Sequence, residues 1–170
     1  MMELKKETVQ MLRVKSKAAS QVTFDEDYNV PDTRPDIGRM IQSKAEISMD
    51  EVRLSEGRAF LKGSLNVDML YVGEKEGRIY SLAAKLPVDE TVNLEGIEGG
   101  DKLCLNWEME DLSIHVIHSR KLNIKAIVTF YAAVDETTGI QIPVALEEEG
   151  ISVKKKQMRL MSLCIHKKDT

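Results

Sequence analysis

The sequence predicts an all-β fold: an antiparallel β-sandwich as first choice, a barrel as second, with one short helix. Three observations predict it. Long stretches alternate apolar and polar side chains with the period of two that a half-buried strand requires. Turn signals separate these stretches at intervals of roughly 10–17 residues. One stretch alone, Val30 to Ile41, breaks the alternation with helical spacing.

The bulk properties narrow the options. A chain of 170 residues suits one domain. A domain of about 150 residues buries roughly 70% of its extended surface, so it needs no metal or disulfide to hold a core. Aromatics are few, with one Trp, three Phe and four Tyr, so the core rests on Leu, Ile, Val, Met and Ala. The net charge of −4 argues against non-specific nucleic-acid binding, which requires a basic face. Cys104 and Cys164 both sit among apolar neighbours and read as reduced cysteines packed as small hydrophobes, which fits a cytosolic location. Met1 to Glu7 has no apolar signal core, and no apolar run approaches the ~18 residues of a membrane span.

Along the chain, residues 1–28 read as one or two strands, weak between Lys15 and Ser20, with Leu4 to Leu12 open to a helical reading. Asp25-Glu26-Asp27 forms an acidic edge. Pro31 and Pro35 then fix φ and remove two backbone donors, so no ladder runs through this stretch. Ile37, Met40 and Ile41 follow at i, i+3, i+4, the spacing of a short helix that starts near Pro35 and seals a sheet end. Arg34 in this stretch is expected to pair with a nearby carboxylate.

Lys44 to Leu54 alternates, and its phase slips by one residue at Asp50-Glu51, which predicts a β-bulge. Ser55-Glu56-Gly57 is a hairpin turn. Arg58 to Val72 alternates most cleanly, and a strand of roughly 50 Å should bend, with Gly63 the expected place. Gly73 to Gly77 turns the chain, and Arg78 to Leu94 reads as a strand or two broken near Pro87. Glu95 to Asp101 is an acidic, glycine-rich loop without the Lys-Ser/Thr of a phosphate loop. Lys102 to His118 reads as strand, bulge, strand. Ser119-Arg120-Lys121 turns, and Leu122 to Val134 is a second clear strand, closed by Asp135 to Gly139. Ile140 to Gly150 is a short strand with an acidic end. A final strand runs through 151–170, apolar on both faces from Met158 onward.

Catalytic chemistry is hard to find. His115 and His118 would point to opposite faces of a strand, and with Cys104 and His166 they make no zinc spacing. Glu108, Glu110 and Asp111 beside Trp107 have the composition of a sugar-cleft wall, but neighbouring carboxylates on one strand do not flank a glycosidic bond. Nucleophile elbow, Cys/His dyad and dinucleotide fingerprint are all absent. Lys154 to Lys156 reads as a solvated strand start. No enzyme activity, metal or cofactor is expected.

Three segments together resemble the SPOCS domain of endospore-forming Gram-positive bacteria. Asn29 to Ile37 looks like the family's V-P-D-x-[KR]-P-D-I signature. Leu65 to Tyr71 is similar to its central strand, and Ser119 to Ala126 to its S-R-K-[VL]-N-[IV]-K-A strand. Order and spacing fit over residues 8–134. The resemblance implies a SPOCS-like β domain at 1–150, followed by 151–170 as a final strand leading into a second repeat of a longer protein. It implies tandem repeats and a LysM module in that protein, although this chain has no LysM segment and no second Pro-Asp-Ile motif. It further implies a non-catalytic module of the spore coat or envelope, working in the mother-cell cytoplasm at the forespore surface. Its implied partners are a coat-scaffold ATPase or other coat proteins. The motif residues marked for interaction are Pro31, Asp32, Arg34, Pro35, Asp36, Ile37, Ser119, Arg120 and Lys121. The alternative is a carbohydrate- or cell-wall-binding β-sandwich that uses Trp107 and its acidic neighbours.

Overall fold

The computed structural model describes residues 3–147 and, beyond them, only positions 150, 152, 154, 156, 157 and 159. The strand expected in 151–170, with Cys164 and His166, lies outside the described residues. Six strands make up the rest: β1 (Glu3–Asn29), β2 (Ile37–Ser55), β3 (Arg58–Gly73), β4 (Ile79–Asn93), β5 (Lys102–His118) and β6 (Lys121–Glu147). They form two three-stranded antiparallel sheets, ordered β1-β6-β5 and β2-β3-β4. The protein is therefore all-β among its described residues, and the arrangement is sandwich-like.

Contacts divide the chain into two compact units, residues 12–138 and residues 1–11 with 139–170. In the second unit, Thr8 near the start of β1 lies next to Gly139 of β6. The first unit contains every buried apolar side chain among the described residues.

The two clearest alternations in the sequence become the two central strands. β3 turns Ala59, Leu61, Leu65, Val67, Met69 and Tyr71 inward. β6 turns Leu122, Ile124, Ala126, Val128, Phe130 and Val134 to the same core. A central strand with one face fully buried shows the cleanest period of two.

Several expectations are corrected. No helix follows Pro35; Ile37 already begins β2. The helical spacing comes from two irregularities in the β2–β3 register, between Ile37 and Arg39 and between Met40 and Gln42. Each inserts one residue, so the inward positions Ile37, Met40 and Ser43 fall three apart on an extended chain. Ile41 is 44% exposed and belongs to no buried stripe. β1 is a single strand, within the reading of one or two strands, and only the helical option for Leu4 to Leu12 is set aside. β6 does not close at Gly139 but continues to Glu147. β4 runs unbroken through Pro87, which pairs with Ser64; β4 is an edge strand, where a missing donor can be tolerated. Cys104 is exposed rather than packed in the core.

The expected bulges are present at Met49/Glu51 in β2 and Met109/Asp111 in β5. Gly63 sits opposite the first. A Cβ there would stand 2.2 Å from the Ser48 carbonyl oxygen, so the bulged strand lies against it too closely for any side chain.

Candidate functional site

The chain has to leave one sheet after β1 and enter the other at β2. Residues 30–36 make that crossover, and the proline motif is its whole content. Pro31 and Pro35 keep it out of both ladders. Arg34 N donates to Pro31 O at 2.9 Å and closes a turn. Buried Val30 and Ile37 anchor its two ends in the core.

The second motif, at the β5–β6 hairpin, grips this crossover. Val30 N donates to Arg120 O at 2.9 Å, and Ile37 N to Ser119 O at 2.8 Å. The Arg120 guanidinium reaches into the loop itself. Its Nη1 donates to Asp36 Oδ1 at 2.7 Å and to Arg34 O at 3.3 Å. Its Nη2 donates to Pro31 O at 3.0 Å, Val30 O at 3.1 Å and Asp32 Oδ1 at 3.3 Å. A planar fork with several donors can hold both carbonyls and carboxylates in this way; an ammonium cannot. Ser119 Oγ adds a longer contact to Asp36 Oδ2 at 3.4 Å. Lys121 turns to β1 instead and pairs with Asp27 Oδ2 at 2.7 Å.

β3 supplies the remaining ties. Tyr71 OH donates to Pro35 O at 2.9 Å. Glu74 N, just past β3, donates to Asp36 O at 2.9 Å. The bond from Arg120 holds the Asp36 carboxyl below its ordinary value, and Asp36 in turn raises Arg120. Burial pushes the Tyr71 phenol up.

The two sequence motifs thus meet in one cluster. The expected role of Arg34 is corrected: among the described residues it makes no ion pair, and Arg120 is the arginine that pairs with the loop's carboxylates. Tyr71 and Glu74 were not marked in the sequence. A Tyr on the buried face of a long strand reads as core until the strand end is placed beside the crossover.

A cleft of about 600 Å³ opens beside the clamp. Tyr28, Pro31 and Arg34 line it together with Ser43 of β2, Met69 of β3 and Leu82 of β4. A second depression, of about 360 Å³, lies where edge strands β2 and β5 approach without forming a ladder. It is lined by Trp107, Met109, Ala45, Glu46 and Ile47, and Trp107 is 42% exposed. Of the carboxylates near Trp107, Glu110 accepts from Gln21 Nε2 at 2.8 Å and from Thr129 Oγ1, which leads it toward β1 and β6. His115 and His118 are exposed, and His118 Nδ1 accepts from Arg120 N at 3.2 Å. Among the described residues no group of His, Cys, Asp and Glu could hold a metal ion.

Residues 36–117 match the family described as SipL, SPOCS domain. That stretch, just under half of the chain, is similar to a SPOCS domain. No curated protein and no solved structure matches it significantly. The SPOCS match spans β2, β3, β4 and all of β5 but His118. It starts on Asp36, the carboxylate that Arg120 holds. That similarity associates the chain with spores and with protein–protein interaction. Among the described residues no helix is long and apolar enough to cross a membrane.

Proposed function

We propose that this SPOCS-like domain is a non-catalytic assembly module of the bacterial spore coat or envelope. It works in the mother-cell cytoplasm and helps tether coat scaffold proteins to the forespore surface, as one part of a longer protein with further repeats and a LysM module. The family match over residues 36–117 carries this reading. The clamp supports it, because Asp32, Asp36 and Arg120 are engaged with one another and with carbonyls in holding a crossover. Groups held in this way stiffen a scaffold and do not converge on a substrate. The strands at the sheet edges offer ladder groups to an added strand of a partner.

The test is a fluorescent fusion in a sporulating host. The fusion should gather at the forespore surface and capture coat proteins, and its deletion should detach the coat. Even distribution through the mother cell, with a normal coat in the deletion strain, would refute the proposal.

A second reading, carbohydrate or cell-wall binding, is favoured by one observation: Trp107 remains 42% exposed in its depression. It is the only tryptophan, so its emission reports directly on that surface. A saturable change in emission with peptidoglycan fragments would support this reading, and an unchanged spectrum would remove it.

A further inference from the structure

We propose that the cleft beside the crossover is a recognition site for an acidic, apolar peptide segment of a partner protein, with an apolar side chain on the cleft floor and a neighbouring carboxylate on Arg34. The inference rests on the assembly reading for the existence of a partner, but the site is argued from the cleft alone.

The two arginines of the motifs are used differently. Arg120 is consumed by five acceptors within the protein. Arg34 is exposed, and no carboxylate pairs with it among the described residues. Yet the Arg34 backbone is fixed from three directions. Its N–H donates to Pro31 O, its carbonyl accepts from Arg120 Nη1, and Pro35 follows it. A guanidinium on a fixed backbone with an open fork binds a carboxylate at a lower ordering cost than one on a mobile loop.

Below Arg34 the cleft is apolar. Met69 and Leu82, 1% and 4% exposed, pair across the β3–β4 ladder in its floor, and Ser43 pairs with Met69 from the β2 side; Gln42 and Ser81 add polar groups to the lining. Tyr28 stands on the wall and is held by a bond from its OH to Ala83 O at 3.1 Å. The charged groups around the opening are Arg34, Lys44 and Asp68, and Lys44 is paired with Glu46. Among the described lining residues, Arg34 is therefore the cation without a carboxylate partner. The volume, about 600 Å³, lies within the usual range for small-ligand sites. An apolar floor with one convergent cation selects a side chain and a carboxylate together.

The test is an NMR titration of the full chain, labelled with nitrogen-15, with three capped dipeptides: acetyl-Leu-Glu-amide, acetyl-Leu-Lys-amide and acetyl-Ser-Glu-amide. The first should shift the Ser43, Met69 and Leu82 amides saturably in the millimolar range. The other two should bind about tenfold more weakly, since each lacks one of the two features. Arg34→Glu should abolish binding of the first, and Arg34→Lys should retain part of it. Arg34 bonds no carboxylate, so both variants should melt with the wild type, and the melt checks that they are folded. Shifts absent or located elsewhere, equal binding of all three dipeptides, or an unaffected Arg34→Glu variant would overturn the proposal. Binding at the cleft by a protein that fails to reach the forespore would count against the assembly reading only. Correct localisation without binding would count against the cleft only.

Discussion

Arg34 lies in the crossover and Arg120 reaches into it from the β5–β6 hairpin, and their substitutions should separate. Arg120→Ala strips the crossover of two carboxylate pairs and three carbonyl contacts. It should lower the melting temperature clearly, and Arg120→Lys should restore little, because one ammonium cannot span the same acceptors. Arg34→Ala removes no pair and should stay within the ~0.5 kcal/mol typical of surface changes. Thermal melts of the three variants check this, and equal losses would contradict the clamp. Asp36 adds a pH signature. Its folded pKa lies below its ordinary value of 3.8, because Arg120 bonds the carboxylate. Its contribution is therefore complete above the unfolded value and is lost as pH falls through the lower folded one. Asp36→Asn should be less stable than wild type at neutral pH, with the gap closing as the solution is acidified below about pH 4. Melts across that range test it. At this scale the sequence marked both arginines as motif residues and expected the ion pair at Arg34, whereas the structure places it at Arg120. Arg34 lies inside the motif and looked like its own ion-pair partner, and only the placement of the β5–β6 hairpin reveals that Arg120 reaches the acids first.

Among the elements, β2 was the hardest to read and β3 the easiest, for one physical reason. β3 lies between two ladders with one face buried, so each residue is forced to one side and the alternation survives intact. β2 is an edge strand with three register shifts, and each shift moves its inward face by one residue. Two of them, at Gly38 and Ile41, imitate the spacing of a helix. The third was legible because a clean alternation changes phase around it. β1 was blurred for a related reason: it is an edge strand whose early apolar residues Leu4, Met11, Leu12 and Val14 are all exposed, so burial imposes no period. Gly63 links β2 and β3. Its importance was visible in the sequence, but its reason was not, since the bulged backbone of β2 is what approaches it. Gly63→Ala would drive a Cβ to 2.2 Å from the Ser48 oxygen. Backbone must shift to relieve that contact, so the variant should lose about 1–3 kcal/mol, the range of core overpacking. Urea unfolding would measure the loss. A neutral result would mean that the bulge of β2 moves freely.

For the molecule as a whole, the hydrophobic core and the division into units make the same statement. Every buried apolar side chain among the described residues, from Phe24 to Val134, belongs to the unit of residues 12–138. So do both motifs and all the ties of the crossover. The resemblance implied a β domain at 1–150; the contacts divide the chain at 139, inside a strand where composition gives no signal. A fragment of residues 12–138 should then fold alone. It should unfold in one cooperative transition, with Trp107 emission and far-ultraviolet circular dichroism changing together, near the midpoint of the full chain. The same topology makes it a slow folder. β1 pairs with β6, the first strand with the last, so one sheet cannot be completed until nearly the whole unit has been gathered. Arg120 ties the start of β6 to the end of β1 and should act late for that reason. Its loss should speed unfolding far more than it slows refolding, which stopped-flow measurements following Trp107 would resolve. A fragment that stays unfolded, or an Arg120→Ala variant whose defect appears mainly in the folding rate, would show that the core does not form before the crossover is clamped.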